Sequence, residues 1–157
     1  MSLIRQFTRN IQFIDRVVKG KTEGLTHEDS MKQLSFPGNC MNWNIGHLLV
    51  YRERYIDMLT GGDEASEAEF AMYGAGSEPL TDGETAVPLD TLLTRFADAS
   101  AKLIAALEAM PLERLDEVID AENNLIFADR LSFYLLFHES YHAGQLELLQ
   151  ELALADK

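Results

Sequence analysis

The sequence predicts an all-α protein, a four-helix bundle with a long loop between its second and third helices. Three observations predict it. Four stretches place apolar residues at steps of three and four, the spacing of one helix face. No stretch of useful length alternates with the period of a strand; only Glu117–Asp120 and Leu125–Phe127 read as short extended pieces, around an Asn123-Asn124 turn. The length, 157 residues, suits one domain over 1–157 that buries an adequate core without staples.

The first helix runs from about Leu3 to Lys19. Ile4, Phe7, Ile11, Ile14 and Val18 form its stripe, Lys19 suits its C-terminus and Gly20 supplies a left-handed stop. Residues 21–40 connect, with one or two helical turns at 27–33 opened by the capping-box-like Thr26-His27-Glu28-Asp29. Pro37-Gly38-Asn39 breaks the chain, and Asn39 or Asn42 caps the second helix. That helix spans about Met41 to Thr60, with Ile45, Leu48, Leu49, Tyr55, Ile56 and Leu59 inward and Gly61-Gly62 as its stop.

Residues 61–87 read as a long acidic loop with a helical turn at 64–70; loops of this length are often functional, for instance as lids. The third helix spans about Pro88 to Met110, with Leu89, Leu92, Phe96, Ala99, Leu103, Ala106 and Met110 inward. The fourth spans about Ala128 to Ala155. Leu131, Tyr134, His138, Tyr141, Gln145, Leu149 and Leu152 mark its stripe.

Composition excludes some partners. The formal charge is −13, which opposes nucleic acid, whose binding rests on Lys and Arg. It equally opposes anionic membrane surfaces. The bias is uneven: +2 over residues 1–60 and −15 over 61–157, read as a solvated exterior. Arg5, Arg9 and Asp15 interrupt any signal-peptide core, and Asp129 and Arg130 break the apolar stretch 125–137. Cys40 is the single cysteine, so there is no internal disulfide, as in a reducing compartment. The expectation is a soluble, cytoplasmic protein.

The chemistry concentrates in His138-Glu139-Ser140-Tyr141-His142. Two histidines at i and i+4 stand one above the other on a helix and can aim a nitrogen each at one ion. A hydrogen-bonded core pair is the alternative. The run also matches H-E-x-x-H of zinc peptidases. The continuation fails, however: Gln145 and Leu148 stand where a Gly and a third His belong, and no sheet edge is present to hold a peptide. A third ligand has to come from upstream, where His47 lies beside the second helix's apolar stripe. Gly46 costs that helix about 1 kcal/mol against Ala and allows close approach of a neighbouring element or ligand. Cys40 reads as a small buried hydrophobe, His27 as exposed, and Trp43 as a bundle packer.

Taken together, Pro37-Gly38-Asn39, the Trp43-x-x-Gly46-His47-Leu48 run and His138-x-x-x-His142-x-Gly144-Gln145-Leu146 resemble the DinB-like (YfiT-like) superfamily of metal-binding four-helix bundles. The resemblance spans nearly the whole chain. It implies a three-His metal site of His47, His138 and His142. Three neutral imidazoles leave a divalent ion an open position, and both zinc and nickel accept them. Gln145, Tyr134 and Tyr51 would then support the ligands, each being equally acceptable as core lining. Glu139 reads as a solvated surface residue that could otherwise orient a ligand or act as a base. No catalytic residue is assigned.

By the same resemblance, the activity is metal-dependent: a thiol or water is activated against a small electrophilic substrate, in a transferase or hydrolase. A low-molecular-weight thiol is a co-substrate, and a homodimer is expected. The alternative is a non-catalytic metal-binding or stress-response protein, with a metallopeptidase third.

Overall fold

The computed structural model describes residues 2–63 and 65–155. Four long helices form the bundle. They are α1 (Leu3–Thr22), α3 (Met41–Thr60), α5 (Leu89–Ala109) and a last helix in three parts, α6 (Phe127–Ser132), a π-helical segment (Phe133–His138) and α7 (Glu139–Leu154). Two short helices sit in the connections, α2 (His27–Ser30) and α4 (Glu67–Tyr73). A 3₁₀ turn (Leu112–Asp116) and a hairpin of β1 (Val118–Asp120) and β2 (Leu125–Ile126) lead into the last helix. Asn124 takes the left-handed conformation at that turn.

The predicted stripes explain most of the core. Phe7, Ile11, Ile14 and Val18 of α1 are buried against Leu92, Phe96, Ala99 and Leu103 of α5 and against Leu131, Leu135, Leu146 and Leu149 of the last helix. α3 is the central element. Residues 40–50 are all buried, so this stretch has no solvent face, and its polar side chains must find partners inside the protein.

Several boundaries differ from expectation. α1 continues past Gly20 to Thr22, and Gly24 takes the left-handed turn instead. The helical part of 27–33 is only His27–Ser30, closed by the expected capping box between Thr26 and Asp29. α3 starts from Cys40, whose side chain makes no cap bond. Neither Asn39 nor Asn42 caps it; Asn44 donates its side-chain amide to the Cys40 and Asn39 carbonyls and holds the first turn from within. His27 is half-buried, and its Nε2–H donates to the Gly83 carbonyl at 2.9 Å.

The 61–87 stretch is a docked strap. Its helix begins at Glu67, later than the 64–70 expected, and position 64 lies outside the described residues. Tyr73, Leu80 and Ala86 are buried with Cys40, Trp43 and Val50 in a second apolar cluster. Arg95 of α5 grips Glu69 with both Nη atoms and Glu53 of α3 with one, tying α4 to the bundle.

The last helix departs most from its predicted stripe. Leu135, Glu139, His142, Leu146 and Ala153 face inward, while Tyr141 is largely exposed. The buried residues still step by four and three from Leu131 to Ala153, as on one helix face, so the inward face lies to one side of the predicted stripe, with Leu131 and Leu149 common to both. The π-helical segment, Phe133–His138, lies within this helix. The Asn10 side chain of α1 donates to the Leu135 carbonyl within that segment.

A candidate metal centre inside the bundle

His47 is placed by its neighbours along α3 and by the strap. Trp43, one turn earlier, stacks on its ring with centroids 4.5 Å apart, and Tyr51, one turn later, lies 4.7 Å away on its other flank. Trp43 is therefore more than a bundle packer; its Nε1–H donates to Ser77 Oγ of the strap at 2.9 Å. Gly46 has a specific reason. A Cβ there would sit 2.4 Å from the Tyr73 ring, so only glycine lets α4 lie this close.

That approach delivers the Tyr73 main-chain carbonyl to His47, whose Nδ1–H donates to it at 2.6 Å. The Tyr73 hydroxyl is held in turn, donating to Asn42 Oδ1 and accepting from the Val87 N–H.

His142 is fixed in the same manner. Asn44 spends its amide hydrogens on the Asn39 and Cys40 carbonyls just ahead of α3, which leaves Oδ1 to accept from His142 Nδ1–H at 3.0 Å; Gln145 Oε1 accepts from the same nitrogen at 2.8 Å. Both tautomers follow from the partners. A carbonyl oxygen only accepts, so Nδ1 carries the proton and Nε2 keeps its lone pair.

The three rings converge. One nitrogen each of His47, His138 and His142 lies within 4.8 Å of the others, and His47 Nε2 and His138 Nε2 are 2.9 Å apart. A lone pair on His47 Nε2 aimed at a second nitrogen at that distance requires a proton or a cation between them. Burial keeps the rings neutral. It pushes His47 down to about 3 and His138 to about 4, each further lowered by the neighbouring His142, and it lowers His142 against the opposing Gln145 bond. In His47 and His142 the ring is neutral and buried, with Nδ1 donating to an acceptor and Nε2 left with its lone pair, the form in which histidine ligates a metal. This donor set fits a divalent ion.

A family model of the DinB superfamily matches residues 20–146. The chain belongs to the DinB superfamily. In fold it is similar to a solved structure described as a conserved protein from Enterococcus faecalis, with a TM-score of 0.77, 14% identity and 99% of each chain covered. At that identity the likeness is one of fold. No curated protein matches the chain.

The other candidates divide around this three-His group. Gln145 touches His142, as expected. Tyr51 and Tyr134 stack on each other at 5.6 Å, and both rings contact His138, at 5.0 and 5.4 Å. They wall the centre on its open side, where His138 is only half-buried.

Glu139 is not a solvated surface residue. It is buried, and both carboxylate oxygens are taken by Arg52, Oε1 by Nε at 2.7 Å and Oε2 by Nη2 at 2.8 Å. A carboxylate so engaged is not free to act as the base of an H-E-x-x-H peptidase. Arg52 Nη1 continues to Asp15 Oδ1 at 2.7 Å and to Ser100 Oγ, and its guanidinium lies 4.0 Å from the Phe96 ring centroid. This network joins all four long helices. Burial works against the Arg52 charge, and Glu139 and Asp15 more than restore it.

Cys40 is buried, with Sγ 3.7 Å from the Leu80 carbonyl, and it stands outside the converging histidines. Sequence reasoning missed Tyr73, Asn44 and Arg52. Asn44 carried a weak signal, lying three residues before His47 on nearly the same helix face. Tyr73 carried none, since its contribution is a main-chain oxygen.

Proposed function

We propose that the chain is a metal-dependent enzyme of thiol-transferase or hydrolase type acting on a small electrophilic substrate, with His47, His138 and His142 as the ligands. The observation that carries this is the convergence of three neutral imidazoles whose Nδ1 protons are committed, for His47 and His142, to Tyr73, Asn44 and Gln145. A bound zinc or nickel ion would supply the Lewis acidity that ionises a thiol or a water near neutral pH.

The protein's own contribution is geometric. Three ligands leave a fourth position for thiol, water or substrate, and the half-buried His138 marks the side from which it is reached. Tyr51 and Tyr134 exclude water from that side and present phenol O–H donors, which burial keeps protonated in Tyr51. Tyr73 and Asn44 stop the imidazoles from rotating away. A low-molecular-weight thiol is the proposed co-substrate, and a reducing compartment suits the single buried Cys40.

The test is metal analysis of purified protein, wild type against His138→Ala, followed by thiol-transfer assays with bacillithiol, mycothiol and glutathione. About one zinc or nickel per chain, lost in the variant, is expected. Equal metal content in both refutes the site. Metal loading without turnover of any thiol supports the alternative, a non-catalytic metal-binding protein.

A further inference from the structure

A cavity of about 350 Å³ adjoins the three-His group. Tyr51, Tyr55, Phe70 and Tyr134 wall it, and the Tyr51–Tyr134 stack is shared with the histidines, so its contents would lie one ring away from them. Two guanidiniums, Arg54 and Arg130, also line it, and no carboxylate among the described residues does. In a chain of net charge −13, with only 5 basic residues after position 60, that composition runs against the background.

The Arg130 side chain makes no hydrogen bond or ion pair among the described residues, and its charge acts on Asp120 and Tyr55. Arg54 lies over the Phe70 ring at 3.5 Å, and its Nε–H is buried without an acceptor. Among the described residues it pairs with Glu67, whose side chain is 86% exposed, and such surface pairs are weak and exchangeable.

We propose that this groove binds a small organic carboxylate with an apolar body, the carboxylate held by Arg54 and Arg130 and the body by the aromatic walls. Guanidinium and carboxylate match as paired donors and acceptors. The neutral phenols of Tyr51 and Tyr55 add donors, and flat aromatic walls suit an unsaturated or aromatic body. The inference builds on the metal-dependent reading only in making this ligand the substrate; the binding itself requires only the groove.

Calorimetric titration of benzoate, benzamide and inorganic phosphate into metal-free and zinc-loaded protein tests it. Benzoate is expected to bind, and benzamide and phosphate to bind about tenfold more weakly or not at all, because each lacks half of the recognition. Arg130→Gln and Arg54→Gln should each lose benzoate by about tenfold with unchanged circular dichroism, while Arg16→Gln, beside the remote Phe13, should bind as wild type.

Equal binding of benzoate and benzamide, or of benzoate by wild type and Arg130→Gln, overturns the proposal. The two readings fail separately. A chain that takes up no metal yet shows arginine-dependent benzoate binding keeps the groove and loses the metal reading. A metal-loaded chain indifferent to the arginines does the reverse.

Discussion

Arg52 and Glu139 form a two-bond ion pair in the interior of the bundle, their side chains 1% and 4% exposed. Each is the other's main compensation for lost hydration. Breaking a buried pair from one side leaves an uncompensated charge and costs about 3–5 kcal/mol. Glu139→Leu should therefore lower the urea midpoint sharply, whereas Arg52→Met combined with Glu139→Leu should recover much of the loss. A Glu139→Leu single variant as stable as wild type would show that the pair is idle.

Gly46 gives a prediction whose sign opposes helix propensity. Gly46→Ala on an ordinary helix gains about 1 kcal/mol. Here the new methyl meets the Tyr73 ring, which is pinned at its hydroxyl by Asn42 and Val87. The strap has to move, and the acceptor for His47 moves with it. Thermal unfolding should show a lower Tm, and metal titration a weaker Kd; a stabilised variant would contradict the packing described.

The partners of the ring nitrogens can be tested without touching a ligand. Asn44→Leu and Gln145→Leu remove acceptors from His142 Nδ1. Loss of such supporting bonds lowers metal affinity by about 10–100-fold. Competition with a chromogenic chelator measures it, and unchanged affinity in both variants would remove these residues from the site.

Metal-free protein should weaken on mild acidification. The folded values of His47 and His138 fall to about 3 and 4, below the ordinary 6.5, through burial. Between 6.5 and those values the unfolded chain binds more protons than the folded one, so stability falls as pH falls. The contribution is complete above about 6.5 and is withdrawn progressively down to about 4 for His138 and 3 for His47. Urea midpoints at pH 7.5, 6.0 and 5.0 should decline, less steeply in His47→Gln. A flat profile over that window would mean that the rings are solvated.

The homodimer implied by the family resemblance would use the outer face of the last helix. Phe133, Phe137, Tyr141 and Leu148 lie along it and are all more than half exposed, a larger apolar run than scattered surface residues make. Light scattering should give a dimer for wild type and a monomer for Phe137→Glu with Tyr141→Glu. A monomeric wild type would leave this face without its second copy.

Periodicity made α1 and α5 legible, because each buries a regular stripe; a stripe also located α3, although its residues 40–50 are buried all round, and the histidine spacing was legible from the same helical geometry. In the last helix the extent was legible but not which flank faces inward, since residues on either side of the line through Leu131 and Leu149 fit a helical spacing. Glu139 was misread with it: next to His138 on a regular helix it looks outward, and only Arg52, 87 residues away, explains its burial. The strap looked like a loop because its order comes from Tyr73, Leu80 and Ala86 docking on a helix distant in sequence.

The acceptor for His47 is a main-chain oxygen, so no side-chain replacement at position 73 deletes it; only undocking the strap does. Ring orientation and strap closure are then one equilibrium viewed from two ends. Whatever occupies the His47 lone pair and favours its present orientation must, by reciprocity, favour the closed strap by the same free energy. Amide-hydrogen exchange in residues 67–87 would thus read out occupancy of a centre that those residues reach through the Tyr73 main-chain oxygen.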